Sequence, residues 1–406
     1  MENVLPKKQT SLMILLLSAV YFISYLTRIN YAAVLLEIVR SEGISKELAS
    51  LALTGSAITY GVGQLISGYL GDKIKPYFII AFGLFVASVT NLLIPLVPSA
   101  GYMTVVWCFN GLAQSMLWPP MIKIMAGIFD RETYIRACVR VSWASSVATI
   151  FIYLFAPAVI HFSTWKTVFY FCAACGILMC FTWIFVMRKN EKTVSPPANT
   201  YKDVEKQPFS PNIVLILFFL LIVIILQGAL RDGVTNWMPT YISETFNLGS
   251  EISILTSVAL PLFSILCYQV ASYLNRRLIK NEMLGGAVIF SAAFSGAFIL
   301  ALTGGKSVAV SIITAALITG SMHGVNFLLV GILPRYFAKF GKLSFISGLL
   351  NSCTYVGSAV STYGIALLSD KMGWIAITWF WSITALVGVL ICIGTMRPWE
   401  KFKKTI

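Results

Sequence analysis

The chain has 406 residues, of which 58% are hydrophobic and only 11% charged, far from the roughly 25% charge of soluble domains. That balance excludes an ordinary water-soluble globular protein. A formal net charge of +14, from 30 Lys and Arg against 16 Asp and Glu, invites a nucleic-acid reading, which the placement of the cations removes. Of the 30, 21 fall between apolar runs on the side of the two termini, five fall in the opposite loops, and four (Arg28, Lys123, Arg140 and Arg231) lie within the runs. The positive-inside rule then predicts a multi-pass protein of the inner (plasma) membrane, with both termini cytoplasmic and the lipid bilayer, not nucleic acid, as its surroundings.

Apolar runs long enough to cross about 30 Å of hydrocarbon are predicted at 11–39, 48–71, 77–97, 101–128, 137–162, 166–187, 211–246, 251–275, 284–303, 307–333, 344–369 and 373–396. They make an all-α polytopic fold of twelve spans. The first run is too long for a removed signal peptide and lacks a small-residue cleavage site, so it is expected to be retained. It carries YFISYLTRINY, residues 21–31, and so places a permanent cation in a segment built for lipid. At the centre of a lipid-facing helix an arginine costs at least about 2.5 kcal/mol. Arg28 is therefore expected to face a polar cavity, and the i, i+4, i+7 spacing of Tyr21, Tyr25 and Arg28 puts two phenols on the same helix face.

The second run ends in GYLGDK, residues 68–73, where Asp72 and Lys73 are candidates for a gating loop. The fourth run holds QSMLWPP, residues 114–120, and then Lys123. The eight cysteines, including Cys172 and Cys175 in C-A-A-C, have no His or acid at ligand spacing and read as small apolar filler, with no disulfide and no metal. Residues 188–210 are polar, charged and proline-containing, which marks a cytoplasmic linker. The chain thus divides into a six-span bundle over 1–187 and a second over 211–406.

The seventh run contains QGALRDGVTNW, in which Gln227, Arg231 and Thr235 repeat at i, i+4 and i+8. Asp232 is one position along the helix and about 100° away, so it is not expected to neutralise Arg231. In the tenth run, His323 of SMHGVNF is either a substrate ligand or proton carrier, or a satisfied buried histidine. Trp143, Trp237, Tyr60, Asn326, Asn351 and Tyr355 are either cavity-lining or packing residues. SGYLGDK (67–73) and ASYLNRR (271–277) echo one another at an offset of 204, and Arg28 and Arg231 at 203. Such parallel repeats are expected to hold a substrate site between the halves near the bilayer midplane.

On YLTRIN, GYLGDK, QSMLWPP and LRDGVTNWMPTY the chain resembles the major facilitator superfamily, and within it the organophosphate:phosphate antiporters, the family of the glycerol-3-phosphate and hexose-6-phosphate transporters. GYLGDK is specific only to the superfamily. The resemblance implies that Arg28 and Arg231 bind the phosphoryl group, a task suited to bidentate guanidinium forks; shared helix faces add Tyr21, Tyr25 and Gln227 as substrate-binding candidates, and Lys123 and His323 complete the set. Lys123 matches a basic family position, with snorkelling as the alternative. The chain departs from the family at Ile29, Gln64, Val147 and Asn236, where the family tends to carry Lys, Lys, His and an acid.

The implied activity is exchange of a phosphate ester or similar small organic anion against inorganic phosphate by a monomeric carrier without a cofactor. It is not an enzyme, since no nucleotide loop, metal cluster or hydrolase elbow is present. Proton-coupled anion symport and non-transporting sugar-phosphate sensing remain alternatives on the same fold.

Overall fold

The computed structural model describes residues 5–97, 99–190, 211–247 and 259–404. Most of the linker, 191–210, and the start of the eighth predicted span lie outside the described residues. Within them the chain forms α1 (Lys7–Glu42), α2 (Lys46–Lys73), α3 (Pro76–Leu93), α4 (Ala100–Ser115), α5 (Trp118–Ile128), α6 (Arg131–Phe162), α7 (Trp165–Lys189), α8 (Pro211–Phe246), α9 (Ala259–Tyr273), α10 (Glu282–Thr303), α11 (Val308–Asn326) and α12 (Leu343–Lys404).

Helices and spans do not correspond one to one, for local reasons. The fourth span is α4 and α5 together, interrupted before Pro119 and Pro120, because proline has no N–H for the helical ladder and clashes with the preceding turn. The last two spans run on as α12, broken at Gly373, whose φ of 71° lies in the region that only glycine enters without strain. Among the described residues nine helical stretches are long and apolar enough to cross a membrane, the parts of α12 before and after its break counted separately. Helices suit a lipid environment because nearly all their backbone hydrogen bonds are made within the segment; the prolines inside α6, α8 and α12 each leave one carbonyl without its helical donor. Outward positions are apolar, among them Leu154, Phe162, Phe181 and Phe185.

The chain gathers into two compact units, one of Met1–Lys206 with Phe337–Ser352, the other of Gln207–Tyr336 with Cys353–Ile406. In the first unit α1 packs on α6 and α7, α2 on α4, and α3 on α4 and α7. Its core includes Tyr31, whose ring lies tilted against that of Trp107 at 5.1 Å, and Trp107 meets Phe169 edge-on at 5.8 Å. In the second unit α11 packs against α8, α9 and α10. There α8 and α12 cross without side chains between them, since a Cβ on Gly228 would overlap the Thr354 carbonyl and one on Gly357 the Ile225 carbonyl. Small residues permit this approach, and in lipid close packing is a principal source of helix association.

The eight cysteines are free thiols, and no group of His, Cys, Asp and Glu among the described residues is arranged to hold a metal.

Candidate functional site

Three polar centres emerge, two around the intramembrane arginines and one at a helix end. In the first unit the α1 face predicted from spacing is formed. Tyr21 and Tyr25 lie 5.1 Å apart by ring centroids, and Tyr21 lies 5.3 Å from Trp118, the tryptophan of QSMLWPP. The Arg28 guanidinium carbon sits 4.1 Å from the centre of the Tyr60 ring and 5.8 Å from that of Tyr25. Two electron-rich rings thus offset part of the cost of a cation held away from water.

Beside Arg28, a buried rack of amides fixes the helix. Asn91 donates to the Thr27 carbonyl at 2.8 Å, Asn30 to Asn91 Oδ1 at 2.6 Å and Asn110 to Thr90 Oγ1 at 2.9 Å. Gln114 donates to Thr27 Oγ1 at 2.9 Å and accepts from Ser24 Oγ at 2.8 Å. These bonds tie α1 to α3 and α4 around the residue next to the arginine, so the polar rack sets the register and aim of Arg28.

In the second unit Arg231 is differently dressed. Its Nε donates to Asp232 Oδ1 at 2.7 Å and its NH2 to Oδ2 at 2.9 Å. This bidentate pair corrects the expectation that Asp232 leaves Arg231 un-neutralised. The two Cβ atoms do diverge around the helix, but the arginine stem is long enough to fold back over its neighbour. Ser358 also hydrogen-bonds the Asp232 carboxylate, and the Arg231 guanidinium lies 6.0 Å from the Tyr355 ring. His323 Nδ1 is 2.9 Å from the Tyr268 hydroxyl. Thr235 donates back to the Arg231 carbonyl at 2.6 Å.

Gln227 is fully buried: its amide donates to the Met322 carbonyl at 3.2 Å and accepts from Asn326 and Thr354, each at 3.4 Å. It ties α8 to α11 and α12 one turn before Arg231.

The third centre is GYLGDK. The Asp72 carboxylate accepts the backbone N–H groups of Ser344 at 3.0 Å and Phe345 at 2.9 Å, the first turn of α12, where unsatisfied donors and the positive end of the helix dipole favour an anion. Lys123 belongs here and not with Arg28: its ammonium donates to the Gly71 carbonyl at 2.7 Å and lies 3.9 Å from Asp72 Oδ1. Lys73 packs its ammonium on the Tyr69 ring and reaches the same residue's hydroxyl.

Sequence reasoning missed one buried acid. Glu282, fully enclosed, accepts from Tyr336 at 2.7 Å, Trp399 at 2.8 Å and Lys403 at 3.1 Å. Its partners are 54, 117 and 121 residues away, and no local spacing announces them. Tyr60 and Tyr355, by contrast, stood among the undecided aromatics, and each now lies beside an arginine.

Residues 17–362 match the family described as Major Facilitator Superfamily. The chain is 27% identical over 306 residues to the glycerol-3-phosphate transporter of Bacillus subtilis (strain 168), covering 68% of this chain and 67% of that protein. It is 21% identical over 413 residues to the probable hexose phosphate transport protein of Chlamydia trachomatis serovar D, covering 94% and 90%. Among solved structures, the outward conformation of the transporter FucP superposes with a TM-score of 0.73 at 14% identity, over 97% of this chain and 98% of that one, which shows the fold alone. The resemblance carried by YLTRIN, QSMLWPP and LRDGVTNWMPTY is borne out by these matches.

Proposed function

Because the chain belongs to the Major Facilitator Superfamily, we propose that it exchanges an organic phosphate, or a similar small organic anion, for inorganic phosphate by alternating access. The observation that carries this reading is the pair of intramembrane arginines, one in each 36-residue helix α1 and α8, the first beside Tyr25 and Tyr60 and the second beside Tyr355. Guanidinium is the cation best matched to a phosphoryl group, since its parallel N–H donors fit two phosphate oxygens at once. Arg28 and Arg231 bind the anion, Tyr21 and Tyr25 line its approach beside Arg28, and His323 does so beside Arg231. Gln227 contributes by fixing the turn of α8 from which Arg231 projects.

Asp232 gives the second arginine a built-in counter-ion. An arriving phosphoryl group competes with that carboxylate, so binding is coupled to a rearrangement of the pair and not to simple charge neutralisation. Such competition suits a carrier, which must release its substrate as well as capture it. Asp72 closes the GYLGDK loop onto the start of α12, a gating contact supported by the two backbone N–H bonds it accepts. The orientation follows the positive-inside count, with both termini in the cytoplasm.

Counterflow in proteoliposomes tests the reading. Vesicles loaded with inorganic phosphate are expected to take up labelled glycerol-3-phosphate, and vesicles without an internal anion are not. No uptake in either case would mark a sensor, and uptake into anion-free vesicles when the outside is acidified would mark a proton symporter.

A further inference from the structure

Near one end of the second unit, α8 and the final stretch of α12 enclose a groove of about 850 Å³, within the 300–1,000 Å³ range of small-molecule sites. Its residues change character along the helix axes. Phe219 and Ile216 of α8 and Leu390 of α12 line one portion, while Arg397 and Lys401 line the portion nearest the end of α12. Leu390 and Arg397 are seven residues apart, about 10 Å along a helix, so an apolar trough opens onto a pair of cations spaced i, i+4 on one helix face.

The same stretch of α12 is anchored on its other side. Trp399 and Lys403 are held by Glu282, which leaves Arg397 and Lys401 exposed and turned to the groove. Two backbone features widen and polarise the site. Gly394 lines it, and a Cβ there would meet nothing within 4 Å. Pro398 has no N–H to give the Gly394 carbonyl four residues earlier, so that oxygen lacks its helical donor.

We propose that this groove binds an anionic phospholipid, with an acyl chain along Phe219, Ile216 and Leu390 and the phosphodiester between Arg397 and Lys401. The occupant follows from the two chemistries present at one site. An apolar trough in a membrane-spanning bundle accepts any acyl chain, whereas the cation pair selects by headgroup charge. Arg397 forks onto the phosphodiester oxygens as Lys401 adds a point charge, and each cation near an anionic bilayer surface favours such a lipid several-fold. The Gly394 carbonyl is an acceptor for a headgroup hydroxyl, such as the glycerol of phosphatidylglycerol.

The test uses the full-length protein in detergent micelles, with retained lipids counted by native mass spectrometry after addition of phosphatidylglycerol or phosphatidylcholine with identical acyl chains. The parent protein is expected to retain phosphatidylglycerol with about a tenfold preference. The double variant Arg397→Gln/Lys401→Gln should lose that preference while still retaining lipid. Gly394→Trp, whose Cβ meets nothing within 4 Å and whose indole would occupy groove volume, should lower retention of both lipids. A control pair of exposed lysines outside the groove, Lys280→Gln/Lys404→Gln, should keep the preference. A third arm adds inorganic phosphate alone; if it displaces phosphatidylglycerol from the groove, the site is for free phosphate and the proposal fails. Equal retention of the two lipids by the parent, or an undiminished preference in Arg397→Gln/Lys401→Gln, also overturns it. Should Gly394→Trp fail to elute as a monodisperse species, the headgroup preference in the charge variant decides the matter, since its residues are exposed and make no contribution to the core.

Discussion

At the scale of single residues, the two arginines share a charge and differ in what surrounds them. Arg28 rests against Tyr25 and Tyr60, while Arg231 is clamped through two of its five N–H groups by Asp232. Arg28→Lys and Arg231→Lys keep the charge but remove the fork and weaken stacking on the rings. Each is expected to reduce exchange at least about tenfold, corresponding to loss of one bidentate contact worth roughly 1.4 kcal/mol or more, with unchanged abundance in the membrane. Uptake normalised to surface protein checks this, and parental activity in either variant would remove that arginine from the site. Asp232→Asn has a different signature. Removing the carboxylate frees the guanidinium for the anion and abolishes a repulsion, so the apparent KM for phosphate should fall several-fold while the maximal exchange rate also falls, because the anion then leaves more slowly. A raised KM would mean that the carboxylate serves chiefly to aim the guanidinium.

At the scale of elements, what fixes each arginine is the packing of its helix. On α1 the buried amides of Asn91, Asn110 and Gln114, all donating to Thr27, supply the restraint. On α8 it comes from Gln227 and from the glycine crossing with α12. A side chain at Gly357 would meet backbone, which cannot rotate away. Gly357→Val is therefore expected to push α8 and α12 apart, lower the thermal midpoint of the purified protein by several degrees and abolish exchange, although residue 357 touches no substrate. Ser358→Ala, one position on, removes a hydrogen bond to Asp232 without altering the crossing, and its midpoint should stay within a degree or two of the parent. A Gly357→Val protein with parental stability and exchange would show that the crossing does not set the aim of Arg231.

At the scale of the whole molecule, coupling follows from which titratable groups are committed to partners. Asp232 is occupied by Arg231 and Ser358, and His323 by Tyr268, so neither is left as a dedicated proton carrier. Exchange of internal for external phosphate should therefore proceed at zero pH difference, with less than about a twofold change when a gradient of one unit is imposed in either direction; steep dependence on the gradient would instead favour symport. Much of the architecture was legible along the chain. In lipid most backbone polar groups are satisfied within their own helix, so span length and the two polar arginine-bearing helices are written locally as hydropathy and charge. Tyr21, Tyr25 and Arg28 shared a face because helical spacing alone places them there. Tyr60 and Tyr355 became partners of the arginines only through packing, as did Lys123 with Asp72 and Glu282 with its three distant donors. Spacing also misread the Arg231–Asp232 pair, although the residues are adjacent, since it fixes where a side chain leaves the helix and not where a long, flexible one ends. The sequence by itself determined which segments enter the membrane and which charges go with them; only the tertiary structure decided what each charge touches, because those contacts depend on helix crossings and rotamers that no local pattern encodes.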